Sequence, residues 1–283
     1  MEIKKVGVVG CGAMGAGIAQ LCAQSGYQVV ASEINEELLK KGLAFIDKTL
    51  AKLVEKGKLP QPDKDATLAR IKGTTNTKDF SDCDLVIEAV IENLDLKKKI
   101  FAELDKVCPK HAILATNTSC LSIIDMAMAT KRPDKVLGLH FFNPAPIMKL
   151  LEVVKTIATS DETVATSKKF GESLGKTTVI AKDAPGFIVN RVWIPYILHA
   201  IRLLEDGVAS REDIDNAITL GLNYPMGPLT LSDMAGIDIV KFVADAIYEE
   251  LKDPRYIVPT LVNKMVAAGW LGRKTGKGFY DYK

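Results

Sequence analysis

The feature that most constrains this chain is a short stretch near its start. Val6 to Val9 form an apolar run, Gly10-Cys11-Gly12-Ala13-Met14-Gly15 follows at once, and Met14, Ile18 and Leu21 then recur at helical spacing up to Ser25-Gly26. A second apolar run opens at Val29. Strand, glycine turn, helix, strand is a βαβ unit, and each glycine has a mechanical reason for its place. Gly10 makes the tight turn, Gly12 lets an anion approach the backbone, and Gly15 lets helix and strand pack closely. The unpaired N–H groups and positive end of the helix then face the anion, so Gly10, Gly12, Ala13, Met14 and Gly15 are expected to hold the pyrophosphate of a dinucleotide. The plainer alternative is a glycine turn without a ligand, and the flanking elements weigh against it.

Glu33 ends the second strand about 20 residues beyond the loop, where a carboxylate accepts hydrogen bonds from ribose hydroxyls and repels a 2′-phosphate. That favours NAD over NADP as cofactor. The competing role for Glu33 is to cap the next helix, whose first turn carries Glu36 and Glu37.

From Val6 to about Ala181, short apolar runs at Asp84 to Val90, Ala112 to Thr116, Val136 to Phe142, Leu150 to Val154 and Thr178 to Ala181 continue the alternation with helical segments. This predicts an α/β fold with a mostly parallel Rossmann-type sheet covered on both faces. After Asp183-Ala184-Pro185-Gly186 the apolar period becomes helical through Phe187 to Leu204, Ile214 to Leu220, Ile237 to Leu251 and Ile257 to Ala268. The expected division is a nucleotide-binding domain over 1–184 and an all-helical domain over 185–283.

Composition narrows the class of partner. With 37 Lys and Arg against 35 Asp and Glu, the formal charge is +2, which excludes the basic surplus of a nucleic-acid-binding domain. No apolar run approaches the roughly 18 residues of a membrane span. The five cysteines, Cys11, Cys22, Cys83, Cys108 and Cys120, contain no C-x-x-C pair. They read as reduced thiols of a cytoplasmic protein rather than a disulfide frame or metal site, and Met1 to Val6 lead into a strand without the apolar core of a signal peptide.

Three histidines are available for acid–base work. His111 precedes its strand, at the end away from the ligand crevice of a doubly wound sheet, and His199 lies in a helical run where packing or an interface is the default role. His140 lies near the carboxyl end of its strand, on the crevice side. In the strand after it, the period of two groups Leu150, Glu152 and Val154 on the better buried face, where an unpaired carboxylate is costly. His140 is the natural partner: Glu152 would fix its tautomer and stabilise the imidazolium. Beside a nicotinamide, such a histidine implies oxidation of an alcohol or reduction of a ketone. Glu88, which interrupts another apolar strand, is read as structural or cofactor-side.

Several stretches together resemble the short-form, monofunctional L-3-hydroxyacyl-CoA dehydrogenases, and among them the bacterial 3-hydroxybutyryl-CoA dehydrogenases of butyrate and butanol fermentation. They are the glycine loop at 8–15, Glu88-Ala89-Val90-Ile91-Glu92-Asn93 with Lys97, Asn117-Thr118-Ser119, Gly138 to Pro144, Asp183 to Arg191, Tyr224 to Pro228 and Gly272 to Tyr280. The resemblance implies His140 as catalytic base with Glu152 as its orienting partner. It implies that Ser119 and Asn190 bind the 3-oxygen or thioester region of the substrate. Glu92, Lys97, Asn117 and Asn143 are implied at the nicotinamide end of the cofactor site. It further implies a homodimer joined through the helical domain.

The helix after Glu33 carries Leu39, Leu43, Ile46, Leu50 and Leu53 on one stripe and Lys48, Lys52 and Lys56, spaced by four, on another. Lys52 and Lys56 are either a solvated face or contacts to coenzyme A phosphates, and the resemblance places this region beside the coenzyme. The expected substrates are acetoacetyl-CoA and 3-hydroxybutyryl-CoA. A dehydrogenase of a free hydroxy acid, of the L-gulonate type, and a non-enzymatic NAD-binding structural protein are the rivals.

Overall fold

A computed structural model describes residues 2–282, which divide into two compact units, the first ending at Asp183 and the second beginning at Ala184. The first is built on eight strands: β1 (Lys5–Val9), β2 (Gln28–Ser32), β3 (Ile71–Thr74), β4 (Leu85–Glu88), β5 (Ile113–Thr116), β6 (Val136–Phe141), β7 (Leu150–Lys155) and β8 (Thr177–Lys182). They form one sheet in the order β3-β2-β1-β4-β5-β6-β7-β8. All neighbours run parallel except β6 and β7, which are antiparallel. Central strands are apolar without alternation because helices cover both faces; every residue of β4 and β5 is buried.

The helices of this unit are α1 (Ala13–Gln24), α2 (Glu36–Glu55), α3 (Gln61–Ala69), α4 (Leu94–Val107), α5 (Ile123–Ala127) and α6 (Asp161–Ser173). Starts are set by side-chain caps: Asn35, Asn93 and Ser160 accept from the backbone N–H of Leu38, Leu96 and Thr163. α2 buries Leu39, Ile46 and Leu50 against the sheet and half-buries Leu43 and Leu53. α3 and β3 are elements the apolar period did not announce. β3 is an edge strand with one large apolar residue, Ile71, and its Gly73 lies under α2, where an added Cβ would come within 2.9 Å of the Leu43 side chain.

The second unit is helical: α7 (Val189–Glu205), α8 (Arg211–Gly221), α9 (Pro228–Ala235), α10 (Ile237–Leu251) and α11 (Thr260–Ala267). Ile194, Ile197, Leu198, Ile201, Leu229, Ile237, Val240 and Ile247 lie in its core. Two buried carboxylates tie in the end of the chain. Asp215 accepts from Leu229 N, Thr230 N and the Tyr280 hydroxyl, and Asp233 from Phe279 N, Tyr280 N and the Tyr282 hydroxyl. No helix among the described residues is long and apolar enough to cross a membrane.

Candidate functional site

Because the chain passes from β1 to β2 on one side and returns to β4 on the other, the sheet opens a crevice at the carboxyl ends of β1 and β4. The glycine loop fills its floor. Gly10 has φ +91° and an added Cβ would lie 2.9 Å from the Ala89 carbonyl oxygen; at Gly15 it would lie 1.8 Å from that of Gly10. At Gly12, by contrast, a Cβ would meet nothing within 4 Å, and the residue is exposed beside exposed Ala13 and half-buried Met14. Gly12 is the N-cap of α1, whose first turn has neither a side-chain cap nor an acidic residue. An open concavity over uncapped helical N–H groups fits a dinucleotide pyrophosphate.

The structure gives the cap of α2 to Asn35, not to Glu33. The Glu33 carboxylate accepts from Cys11 N at 2.7 Å and Ile34 N at 3.0 Å. It is therefore fastened to the glycine loop and half-exposed beside it, as a ribose contact requires. Cys11 is buried, and burial together with the Glu33 charge pushes its thiol up to about 11. The same cysteine presses on Gly42 of α2, where a Cβ would come within 2.3 Å of the Cys11 oxygen.

His140 and Glu152 stand directly opposite each other on antiparallel β6 and β7. Cross-strand partners project on the same face, close enough for side-chain contact. Nδ1 of His140 lies 2.6 Å from Glu152 Oε2, with the residues 6% and 0% exposed. The Phe142 ring packs on the imidazole, centroids 4.6 Å apart.

A second buried polar group lies across β4, β5 and α4. Glu88 accepts from Lys97 Nζ at 2.6 Å, Val90 N at 2.7 Å and Thr116 Oγ1 at 2.7 Å. Lys97 also lies 3.2 Å from Glu92 Oε2. Glu92 Oε1 in turn accepts from Ser119 N at 2.8 Å, Thr118 Oγ1 at 3.0 Å and Ser119 Oγ at 3.3 Å. Glu92, Lys97 and Ser119 are thus brought together. The partner of Glu88, a lysine nine residues on, lies within reach only because Asn93 starts α4 with Lys97 pointing back at β4.

Asn117 follows β5 and accepts from Phe141 N at 2.9 Å, bridging to the strand of His140; Asn143 is exposed just after that strand. Asn190 is buried in the first turn of α7, in the second unit. Lys48 and Lys52 are exposed on α2, but Lys56 lies just past its end as the C-cap rather than on the helix. Of the other histidines, His111 is exposed and 3.0 Å from Asp84, and His199 is exposed on α7 of the second unit. Among the described residues no group of three or more His, Cys, Asp or Glu could hold a metal ion.

Residues 5–184 match the 3-hydroxyacyl-CoA dehydrogenase NAD binding domain, and residues 186–282 match the 3-hydroxyacyl-CoA dehydrogenase C-terminal domain. The chain belongs to the 3-hydroxyacyl-CoA dehydrogenase family. It is similar to the 3-hydroxybutyryl-CoA dehydrogenase of Clostridioides difficile, 47% identical over 98% of this chain and 99% of that one. To the Mycobacterium tuberculosis protein of the same name it is 47% identical, over 99% of each chain. Among solved structures, the (S)-3-hydroxybutyryl-CoA dehydrogenase of Ralstonia eutropha superposes with a TM-score of 0.95 at 45% identity, with both chains fully covered. In this 3-hydroxyacyl-CoA dehydrogenase the eight-stranded unit is accordingly the NAD-binding part.

Proposed function

We propose that the protein interconverts (S)-3-hydroxybutyryl-CoA and acetoacetyl-CoA, with His140 as the acid–base group. The observation that carries this reading is the buried His140–Glu152 pair at the carboxyl end of β6, on the sheet that holds the glycine loop. Bound NAD supplies the hydride acceptor. In the oxidative direction the substrate 3-hydroxyl gives its proton to His140 while the hydride leaves C3; in reduction the proton returns from the imidazole to the oxygen. Nδ1 is engaged by Glu152, so the exchanging nitrogen is Nε2, and the Glu152 charge stabilises the imidazolium formed.

Ser119 and Asn190 hold the 3-oxygen or thioester region in this reading, and Glu92, Lys97, Asn117 and Asn143 line the nicotinamide end. Lys52 and Lys56 meet coenzyme A phosphates, which their exposure permits. The protein acts in the cytoplasm as a homodimer joined through its helical unit. Exposed Val192, Leu220 and Phe242 on that unit support the dimer, and a monomer by sedimentation velocity at micromolar concentration would sink it.

The test follows NADH and NADPH oxidation with acetoacetyl-CoA and with free acetoacetate, on wild type and His140→Ala. Acetoacetyl-CoA with NADH should turn over and free acetoacetate should not, with the variant slowed roughly 10²–10⁴-fold. Equal rates with and without the CoA portion would replace this reading by a free hydroxy-acid dehydrogenase. Undiminished turnover by the variant would remove His140 from its role.

A further inference from the structure

We propose that the cluster of buried Glu88 and Lys97 with half-buried Glu92 sets how far the site prefers oxidised over reduced nicotinamide, with Glu88 supplying the deciding negative charge. The inference rests on the reading that the nicotinamide end of the cofactor lies over β4 and β5.

The cluster holds two carboxylates and one ammonium, a formal charge of −1. Lys97 needs one carboxylate to be neutralised and touches two: Glu88 at 2.6 Å and Glu92 at 3.2 Å. Glu88 is 0% exposed and Lys97 1% exposed, so water screens their charges little. Among the described residues Glu88 accepts from Lys97 Nζ, Val90 N and Thr116 Oγ1, and the Thr116 oxygen is itself oriented by accepting from Thr118 N. A single carboxylate would have served a structural ion pair with Lys97, and Glu92, whose side chain is 24% exposed, adds a second anion beside it. The excess charge is well placed to act on a cation. Glu88 is the last residue of β4 and pairs in register with Val9, the residue before Gly10. The cluster therefore borders the glycine loop on the side opposite β2 and Glu33.

Oxidised nicotinamide carries a positive ring charge that the reduced ring lacks. Contacts common to both forms cannot separate them; a buried net charge facing the ring can. Removing the Glu88 charge at constant shape should weaken NAD⁺ and leave NADH nearly untouched.

Equilibrium titrations of NAD⁺, NADH and ADP-ribose test this on wild type, Glu88→Gln, Thr116→Val and Glu92→Gln, none of them requiring turnover. In Glu88→Gln the ratio Kd(NAD⁺)/Kd(NADH) should rise about tenfold, while ADP-ribose affinity stays within about twofold. Thr116→Val, which perturbs the same hydrogen bonds without changing charge, should leave the ratio in place. A folded Glu88→Gln protein with a wild-type ratio overturns the proposal, as does a Thr116→Val protein that shifts the ratio equally. If Glu88→Gln does not fold, half-exposed Glu92→Gln carries the test: its ratio must move in the same direction. An equal loss of ADP-ribose and NAD⁺ affinity would instead overturn the underlying placement of the nicotinamide end.

Discussion

Glu152 has no exposure to water, and the His140 ring faces its carboxylate at 2.6 Å, so removing that ring would withdraw a hydrogen-bond partner from a buried charge. In the proposed mechanism its contribution lies in its charge, which can be separated from its shape. Glu152→Gln keeps the volume and an oxygen able to accept from Nδ1, so thermal stability should change little while kcat falls by roughly 10²-fold. Turnover within about threefold of wild type, measured at saturating NADH and acetoacetyl-CoA, would mean that the pair only holds β6 to β7. This pair was legible in the sequence because a lone carboxylate interrupts an apolar strand and one crevice histidine was left to meet it; alternation did not separate the faces, since both faces of β7 are buried. Glu88 was legible only as an anomaly. Its partner sits on the next helix, and no periodic signal tells that Lys97 turns back toward β4. Asn190 is a similar case: one polar residue in the first turn of an apolar helix says nothing by itself, and only likeness to a family singled it out.

Elements matter here through how closely two of them approach the glycine loop. Gly12 and Gly42 both adjoin it, yet an added methyl group has opposite consequences at the two positions. At Gly12, with φ −68° and nothing within 4 Å, alanine fits the protein and occupies only the open space above the loop. At Gly42 the methyl group would strike the Cys11 carbonyl at 2.3 Å and its Sγ at 2.5 Å, so α2 must move off the loop. Gly12→Ala should therefore melt like wild type but bind NAD⁺ at least about tenfold more weakly. Gly42→Ala should lose about 1–3 kcal/mol of stability and bind NAD⁺ more weakly as a consequence. Thermal melts with and without NAD⁺ check both, and a destabilised Gly12→Ala would show that the space above the loop is structural. Strong apolar runs such as Val6 to Val9 made the central sheet readable. β3 escaped because an edge strand needs little apolar surface, and α3 because its only buried residue is Thr67.

At the scale of the whole molecule, near-neutral charge hid two units with separate cores and, by accident of composition, separate probes. All five cysteines lie before residue 184 and both tryptophans, Trp193 and Trp270, after it. Every one of the cysteines is buried, and burial is the main reason the thiols of Cys22 and Cys83 are pushed up to about 12 and that of Cys108 to about 11. At pH 8 they should be inert to an aromatic disulfide reagent until the NAD-binding unit opens, whereupon each becomes an ordinary reactive thiol. Tryptophan fluorescence reports the helical unit instead. A ligand that binds one folded unit stabilises that unit by RT ln(1 + [L]/Kd), about 2.7 kcal/mol at a hundred times Kd. In a urea titration, saturating NAD⁺ should therefore move the thiol-detected midpoint upward and leave the tryptophan-detected midpoint nearly in place. Equal displacement of both midpoints would show that the two cores unfold as one cooperative block, and that stabilisation from the glycine loop extends through the whole chain.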